Sequence, residues 1–439
     1  MDVAILWHFH QPVYRKPGTR EYVLPWVNFH STKNYHQMAR LAEETGYPCT
    51  FNIVPCLAEQ IRDYADGRAE DPVQRCFERR PESLAPADLE RLRAFAPGEA
   101  DPARLQVRAL QSFLSPIDPI PEDLDALLHG QRALLSGLLD RFRKLSEEGR
   151  VEIMTTPYYH PLTPLLFDLR AAEGHELPSV RFAYPEDGRL HIDRARVFMD
   201  GLFGRPPRGL WPSEGGVSRE VAAAAARSGF EFAVTDENVL WRSLGRAADR
   251  KRLYAPSRSE NLTLFFRDRE LSDVIGFEYH RWNARDAVAD FLSRLEARRR
   301  EGGDEAFVVV ALDGENAWGS YRDNGVPFLR ELFGRILASP AFRPVFFADL
   351  LDARGRGEDL DLVPGTWLGS FSKWVGSPAK NEGWTALAEA RQACGPVEDI
   401  LIAEGSDWFW WFGEGQPVFD ELFRAYLAAA RARGRGETV

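Results

Sequence analysis

Cysteine is scarce in this chain: Cys49, Cys56, Cys76 and Cys394 are all there is in 439 residues, and no two form a C-x-x-C pair. That excludes a disulfide scaffold and reads as free, mostly buried thiols in a reducing compartment. Long apolar runs are missing too. Without a stretch of about 20 apolar residues, no membrane span is expected. Met1-Asp2-Val3-Ala4-Ile5-Leu6-Trp7 is too short and wrongly flanked for a secretory signal. Together these features predict a cytoplasmic protein. Positive charge is in deficit, with a net charge of −11, which argues against a nucleic-acid backbone as partner. Certain glycine patterns are also absent. No G-x-G-x-x-G follows a strand and no G-x-x-x-x-G-K-[ST] occurs, so nucleotide binding is unsupported. No G-x-S-x-G elbow occurs either, which disfavours a serine hydrolase.

What is present is globular. The chain is 44% hydrophobic and 28% charged, with neither an internal repeat nor a low-complexity tract. Its length suits one barrel of about 250 residues or more with a smaller appendage. Twelve Trp residues stand out. An indole offers a flat apolar face and one N–H at its edge. Sugar rings have apolar C–H faces and hydroxyl rims, so Trp-lined clefts suit them. Packing in the core is the alternative use.

Short apolar runs recur at Val3–Trp7, Thr50–Val54, Val151–Thr155, Gly209–Trp211, Phe230–Val234, Leu262–Phe266, Phe307–Leu312 and Pro344–Phe347. Runs of this length without helical period suit buried parallel strands. Between them Asn34–Glu44, Leu124–Glu148, Ser218–Ser228 and Ala284–Gly302 read as helices, the third opening on a Ser cap. Strand–helix alternation predicts an α/β fold with a parallel sheet. In a parallel barrel all strand C-termini meet at one mouth. Polar residues that follow the strands would therefore converge, although some 300 positions separate them in sequence. A helical insertion is expected around 66–148 and a barrel over 1–355. Residues 356–439 are expected to form a C-terminal helical unit that completes the cleft, built from Trp384–Cys394 and Phe419–Arg433 after a loop at Trp367–Gly383.

Cleaving a glycosidic bond takes an acid for the leaving oxygen and a second carboxylate for the sugar. Glu214 is one candidate, in Gly209-Leu210-Trp211-Pro212-Ser213-Glu214-Gly215-Gly216, where the glycines would let substrate approach the backbone. Its plain alternative is a favourable charge at a helix N-terminus. Asp313 is the other. It ends the run Val308–Leu312 and opens Asp313-Gly314-Glu315-Asn316-Ala317-Trp318, where burying two acids without purpose would be costly. Glu315 can repel an ionised Asp313 and raise its pKa, as a general acid requires. A polar turn is the alternative. His8 and His10 of Trp7-His8-Phe9-His10-Gln11-Pro12 point the same way on a strand, as metal ligands or as donors to sugar hydroxyls. Tyr158-Tyr159-His160-Pro161, Asp236 and the aromatic run Ser406–Trp411 add polar and aromatic groups, the last also readable as a helical core.

On these residues the chain resembles glycoside hydrolase family 57. His10-Gln11-Pro12, Gly149–Thr155, Gly209–Glu214, Leu312–Glu315 and Glu404–Trp408 match that family's five signature regions in order. The resemblance implies an incomplete, TIM-like (β/α)7 barrel followed by a C-terminal helical bundle, a retaining mechanism, and no metal or other cofactor. It assigns the nucleophile to Glu214 and the acid/base to Asp313. It carries sugar contacts to His8 or His10, His160, Trp211, Glu315, Asp407 and Trp410, with His160 standing where some members carry a glutamate; Gln11, Asp236 and Trp318, which follow strands in this sequence, are added as candidate contacts. The eighth run, Pro344–Phe347, is placed outside the barrel. An α-glucan or maltooligosaccharide substrate follows, cut as the α-amylase and amylopullulanase branch would cut it. Transfer by a 4-α-glucanotransferase or branching enzyme is the alternative on the same substrates. Two rivals of other classes remain. One is a metal-dependent deacetylase- or α-mannosidase-like enzyme using His8, His10 and Asp313 or Asp236. The other is a carbohydrate-binding protein without catalysis.

Overall fold

The computed structural model describes residues 1–245, 249–303 and 305–437. Its frame is a run of short strands: β1 (Asp2–Phe9), β2 (Cys49–Ile53), β3 (Val151–Met154), β4 (Gly209–Leu210), β5 (Phe232–Asp236), β6 (Ser257–Ser259), β7 (Leu262–Arg267), β8 (Phe307–Asp313), β9 (Arg343–Pro344) and β10 (Glu358–Asp359). Seven of them, β1 to β5 with β7 and β8, follow one another in parallel around a barrel. β3, β2, β1 and β8 form one sheet, and β7, β5 and β4 belong to the other. The sheets meet at two seams. At one, Trp211 N donates to Thr155 O at 2.8 Å; at the other, Asp268 N donates to Val309 O at 2.8 Å. Continuous ladder pairing between β7 and β8 is lacking among the described residues, so the barrel is incompletely closed.

Alternation explains why β1 is buried on both faces. Ala4 and Leu6 point inward with Phe232, Val234, Phe265, Val309 and Ala311, and form a core of their own. Val3, Ile5 and Trp7 point outward beneath the helices. The expected strand Pro344–Phe347 is corrected in part. Only Arg343–Pro344 is extended, paired with the first residues of β1. A helix then starts at Phe347, and Val345 and Phe347 pack into the barrel interior rather than outside it. The cause is Glu152 of β3, whose carboxylate accepts from the N–H groups of Phe347 (2.8 Å) and Ala348 (3.0 Å). Capping the helix start in this way satisfies two orphan donors and seats the helix in the barrel floor. β6 was not anticipated. It folds back antiparallel on β7 through Glu260 and Asn261, both with positive φ (52° and 68°), as a two-residue hairpin requires.

The helix expected at Ser218–Ser228 spans Arg219–Arg227, with the Ser218 side chain accepting from Val221 N. The insertion after β2 contains helices Pro72–Glu78, Pro86–Arg93 and Pro102–Ser112 around a separate apolar core of Phe77, Leu92, Leu105, Leu110 and Phe113. The long helix Leu124–Glu147 bridges both cores: Leu127 joins the insertion, while Leu138, Phe142 and Leu145 join the barrel's outer core. Beyond residue 355 the chain stays on the barrel at first. β10 pairs with β6, Val217 bridges Gly365, and Trp367 N donates to Glu214 O at 3.0 Å. Helices Pro378–Cys394, Glu398–Ala403, Ser406–Trp411 and Pro417–Gly434 follow. No helix among the described residues is long and apolar enough to cross a membrane.

Candidate active site

At the C-terminal mouth of the barrel, register does the first work. His8 of β1 is level with Asn52 of β2 on one side and Asp313 of β8 on the other, so three strands deliver polar side chains in one row. The Asn52 amide lies 2.7 Å from His8 Nδ1. Above this row opens a cavity of about 650 Å³, lined among others by His8, His10, Gln11, His160, Trp211, Glu214, Asp313, Glu315, Asp407 and Trp410. Ten of the twelve residues expected at the site therefore meet there.

Glu214 sits in a tight turn after β4 with φ 59° and ψ 22°, a left-handed conformation that costs a non-glycine residue roughly 1–3 kcal/mol. Its side chain is 8% exposed. Ser406 Oγ donates to Glu214 Oε1 at 3.2 Å, and His160 Nδ1 lies 3.9 Å from the same oxygen. The two glycines that follow serve the turn differently: Gly215 has φ 62°, while a Cβ on Gly216 would come within 2.6 Å of Leu162 and 2.9 Å of Ser213 O. Burial pushes the Glu214 carboxyl up to about 8, helped by the negative charges of Asp407 and Asp313. Burial also raises Asp313, against the hydrogen bond from Asn316, which is 2.8 Å long. Glu315 is raised well above its ordinary value by burial and by Asp313. Its Oε1 accepts from His10 N (3.3 Å), Gln11 Nε2 (3.3 Å) and the Tyr35 hydroxyl (3.1 Å), so Glu315 also braces the loop after β1. Buried acids that repel one another ionise in turn, and this site therefore retains protons into the neutral range.

The histidines cluster. The rings of His10 and His160 stack 3.8 Å apart and 14° from parallel, and His8 lies beside both, 5.2 Å from His160 and 5.9 Å from His10. Burial holds His8 and His160 far below the ordinary histidine pKa, so both rings are neutral. His10 Nε2 is 2.8 Å from Asp407 Oδ2. Ligand-type atoms of His10, His160 and Asp407 lie within 4.8 Å of one another, yet the ring geometry opposes a metal. Imidazole binds an ion through an in-plane lone pair, and two stacked, nearly parallel rings cannot both aim one at a common centre.

Several polar atoms on this cavity are buried without a protein partner: His10 Nδ1, His160 Nε2, Trp211 Nε1 and Glu315 Oε2. Leaving such groups unpaired costs free energy, and a ligand rich in hydroxyls would satisfy both donors and acceptors. Trp411, from the expected aromatic run, lines the same cavity, as do Trp26, His30, Trp367, Gln416 and Phe419, which the sequence does not single out. Trp26 and His30 lie one helical turn apart at i and i+4, a spacing that puts both on one face. Their helix, Trp26–His30, is too short to leave a periodic signal.

Two expected contacts are placed elsewhere. Asp236 is fully buried beneath the cavity floor, 2.6 Å from Arg267 Nε, and caps Asn238 N at the start of the helix after β5. Trp318 is fully buried. Its indole N–H donates to Gly314 O at 2.8 Å and its ring packs edge-on against Trp7.

A parallel barrel that gathers buried carboxylates, neutral histidines and tryptophans at its strand C-termini has the build of a glycoside hydrolase. The sequence bears this out. It matches the family model for Glycosyl hydrolase family 57 over residues 4–343, and the chain belongs to that family. Solved structures share the fold at low identity. The branching enzyme of Thermococcus kodakaraensis is 17% identical with a TM-score of 0.69, over 98% of this chain and 88% of that one. The α-amylase of Thermotoga maritima is 18% identical with a TM-score of 0.67, over 100% and 94%. The 4-α-glucanotransferase of Thermococcus litoralis is 16% identical with a TM-score of 0.63, over 99% and 60%. No curated protein sequence matches the chain.

Proposed function

We propose that this enzyme cleaves α-glucosidic bonds in α-glucans with retention of configuration, using Glu214 as nucleophile and Asp313 as acid/base. The observation that carries the reading is the meeting of these two carboxyls, from β4 and β8, in one cavity walled by Trp211, Trp367 and Trp410. Indole faces suit the C–H faces of glucose. The unpartnered Trp211 indole N–H and the imidazole nitrogens of His10 and His160 suit its hydroxyls. The printed activities of the similar structures support an α-glucan as substrate.

In this mechanism Glu214 attacks the anomeric carbon while Asp313 protonates the leaving oxygen. Of the two acids the productive state has Glu214 ionised and Asp313 protonated. Ser406 donates to the ionised Glu214 and so favours that distribution. The covalent sugar is then released as Asp313, now a base, takes the proton of an incoming water. A sugar hydroxyl in place of water turns the same step into transfer. Incubation with maltooligosaccharides and with pullulan tests the reading. Shorter products with new reducing ends support hydrolysis, longer products indicate transfer, and oligosaccharide binding without any product would overturn an enzymatic role on these glucans.

A further inference from the structure

We infer that Ser406 is a positioning residue for the nucleophile: its hydroxyl, oriented by His160, holds one oxygen of the Glu214 carboxylate. This rests on the assignment of Glu214 made above.

Ser406 belongs to the C-terminal helices, yet it is stitched to the barrel at the point where Glu214 stands. Its N–H donates to His160 O at 2.9 Å, next to the bridge between Pro161 and Gly405. Its hydroxyl lies 2.9 Å from His160 Nδ1 and 3.2 Å from Glu214 Oε1. A serine hydroxyl carries a single proton. With that proton given to the ionised Glu214, the oxygen accepts from His160 Nδ1–H, which fixes the tautomer of the buried, neutral ring. The chain of donation runs His160 to Ser406 to Glu214. His160 Nε2 is then an acceptor, buried and without a protein partner, on the cavity wall.

The backbone is built for this approach. His160 and Glu214 both have positive φ, 55° and 59°, and neither is a glycine. Gly405 is required where it is, because a Cβ there would come within 2.9 Å of Tyr159 O. A bulkier residue would lift Ser406 away from both partners. The same helix carries Asp407 and Trp410 to the cavity, so one clamp registers the whole C-terminal wall against the nucleophile.

The test compares Ser406→Ala and Ser406→Thr with the wild type on maltooligosaccharides, taking kcat, KM and the pH profile of kcat. The titratable groups around Glu214 are His8 and His10 from β1, His160 after β3, Asp313 and Glu315 from β8, and Asp407; none is altered in either variant. Loss of a hydrogen bond to a charged group predicts a fall in kcat of about 10–100-fold for Ser406→Ala, with KM within about threefold. The limb that reports ionisation of Glu214 moves to higher pH, because a donor favours the charged carboxylate. Ser406→Thr restores most of the rate. An unshifted limb with wild-type kcat in Ser406→Ala, or equal losses in both variants, would overturn the inference. A titration of the Glu214 carboxyl by 13C NMR, assigned with Glu214→Gln, reads the clamp without turnover. An upward shift in Ser406→Ala supports it, and an unmoved Glu214 signal overturns it even if the wild type cuts no α-glucan.

Discussion

His160 and Glu214, 54 positions apart in the sequence, adopt the same left-handed backbone conformation and bring His160 Nδ1 to 3.9 Å from Glu214 Oε1. Each costs free energy to hold, and strain of this kind persists only where the surroundings over-determine it. The surroundings here are a strand end, the tightly packed Gly216 and the Ser406 loop. The Glu214 carboxylate is thus set by backbone geometry from two directions.

Removing the Glu214 carboxylate should abolish turnover and leave the fold intact. Glu214→Gln is expected to lose at least about 10³-fold in kcat, as loss of a nucleophile does. It should also change how stability depends on pH. The folded-state pKa of Glu214 is about 8, above its ordinary value of 4.5, so the folded form binds a proton that the unfolded form has released. Its neutral form is tolerated below pH 4.5, and stability is lost as pH rises from there through 8. The full gap corresponds to on the order of 4 kcal/mol. Glu214→Gln should therefore gain stability relative to wild type between pH 5 and pH 8, as thermal unfolding at both pH values would show.

In the proposed mechanism Asp313 acts on the leaving group and then on water, so its variants should be selective. Asp313→Ala is expected to slow starch-like substrates by about 10²–10⁴-fold. Aryl glycosides whose leaving groups need no protonation should suffer far less, and azide should restore turnover by attacking the glycosyl-enzyme without a base. Steady-state rates on the two substrate types check this. Equal losses on both would move the acid/base elsewhere.

The buried pair Asp236–Arg267 predicts the opposite pattern. Arg267 also donates to Ala311 O at 3.0 Å and lies over the Trp367 ring at 5.3 Å, so the pair supports the cavity from below. Asp236→Asn leaves the buried guanidinium only the part-exposed Asp273 carboxylate, 3.3 Å away, as counter-charge and should cost about 3 kcal/mol, with KM changed little. Trp318→Phe should likewise lower Tm without raising KM, because its N–H bonds Gly314 O. Trp367→Ala and Trp410→Ala, both on the cavity, should raise KM.

How far the sequence carries the argument can be read from such pairs. The barrel is legible because Val308–Leu312 and its counterparts are apolar runs ended by polar residues, and burial on both faces leaves that mark. That Glu214 and Asp313 reach the barrel mouth is legible because Asp313 directly follows such a run and Glu214 stands three residues beyond one. Asp236 follows one too, but Arg267, also at a strand end, neutralises it; spacing along the chain does not reveal which neighbour a carboxylate will find. Trp318 and Trp367 carry identical side chains, one in the core and one on the cavity. The loop after residue 366 has no period to tell them apart. Pro344–Phe347 reads as an eighth run, one more than a seven-stranded barrel takes, and so falls outside it; the helix that starts at Phe347, capped by Glu152 from β3, instead packs Phe347 into the barrel interior.

The most direct test of the two-carboxylate account is to trap the covalent intermediate. An α-glucosyl fluoride bearing fluorine beside the anomeric centre should label the enzyme once, and peptide mapping by mass spectrometry should find the sugar esterified to Glu214. A label on any other residue, or products of inverted configuration with no label at all, would contradict it.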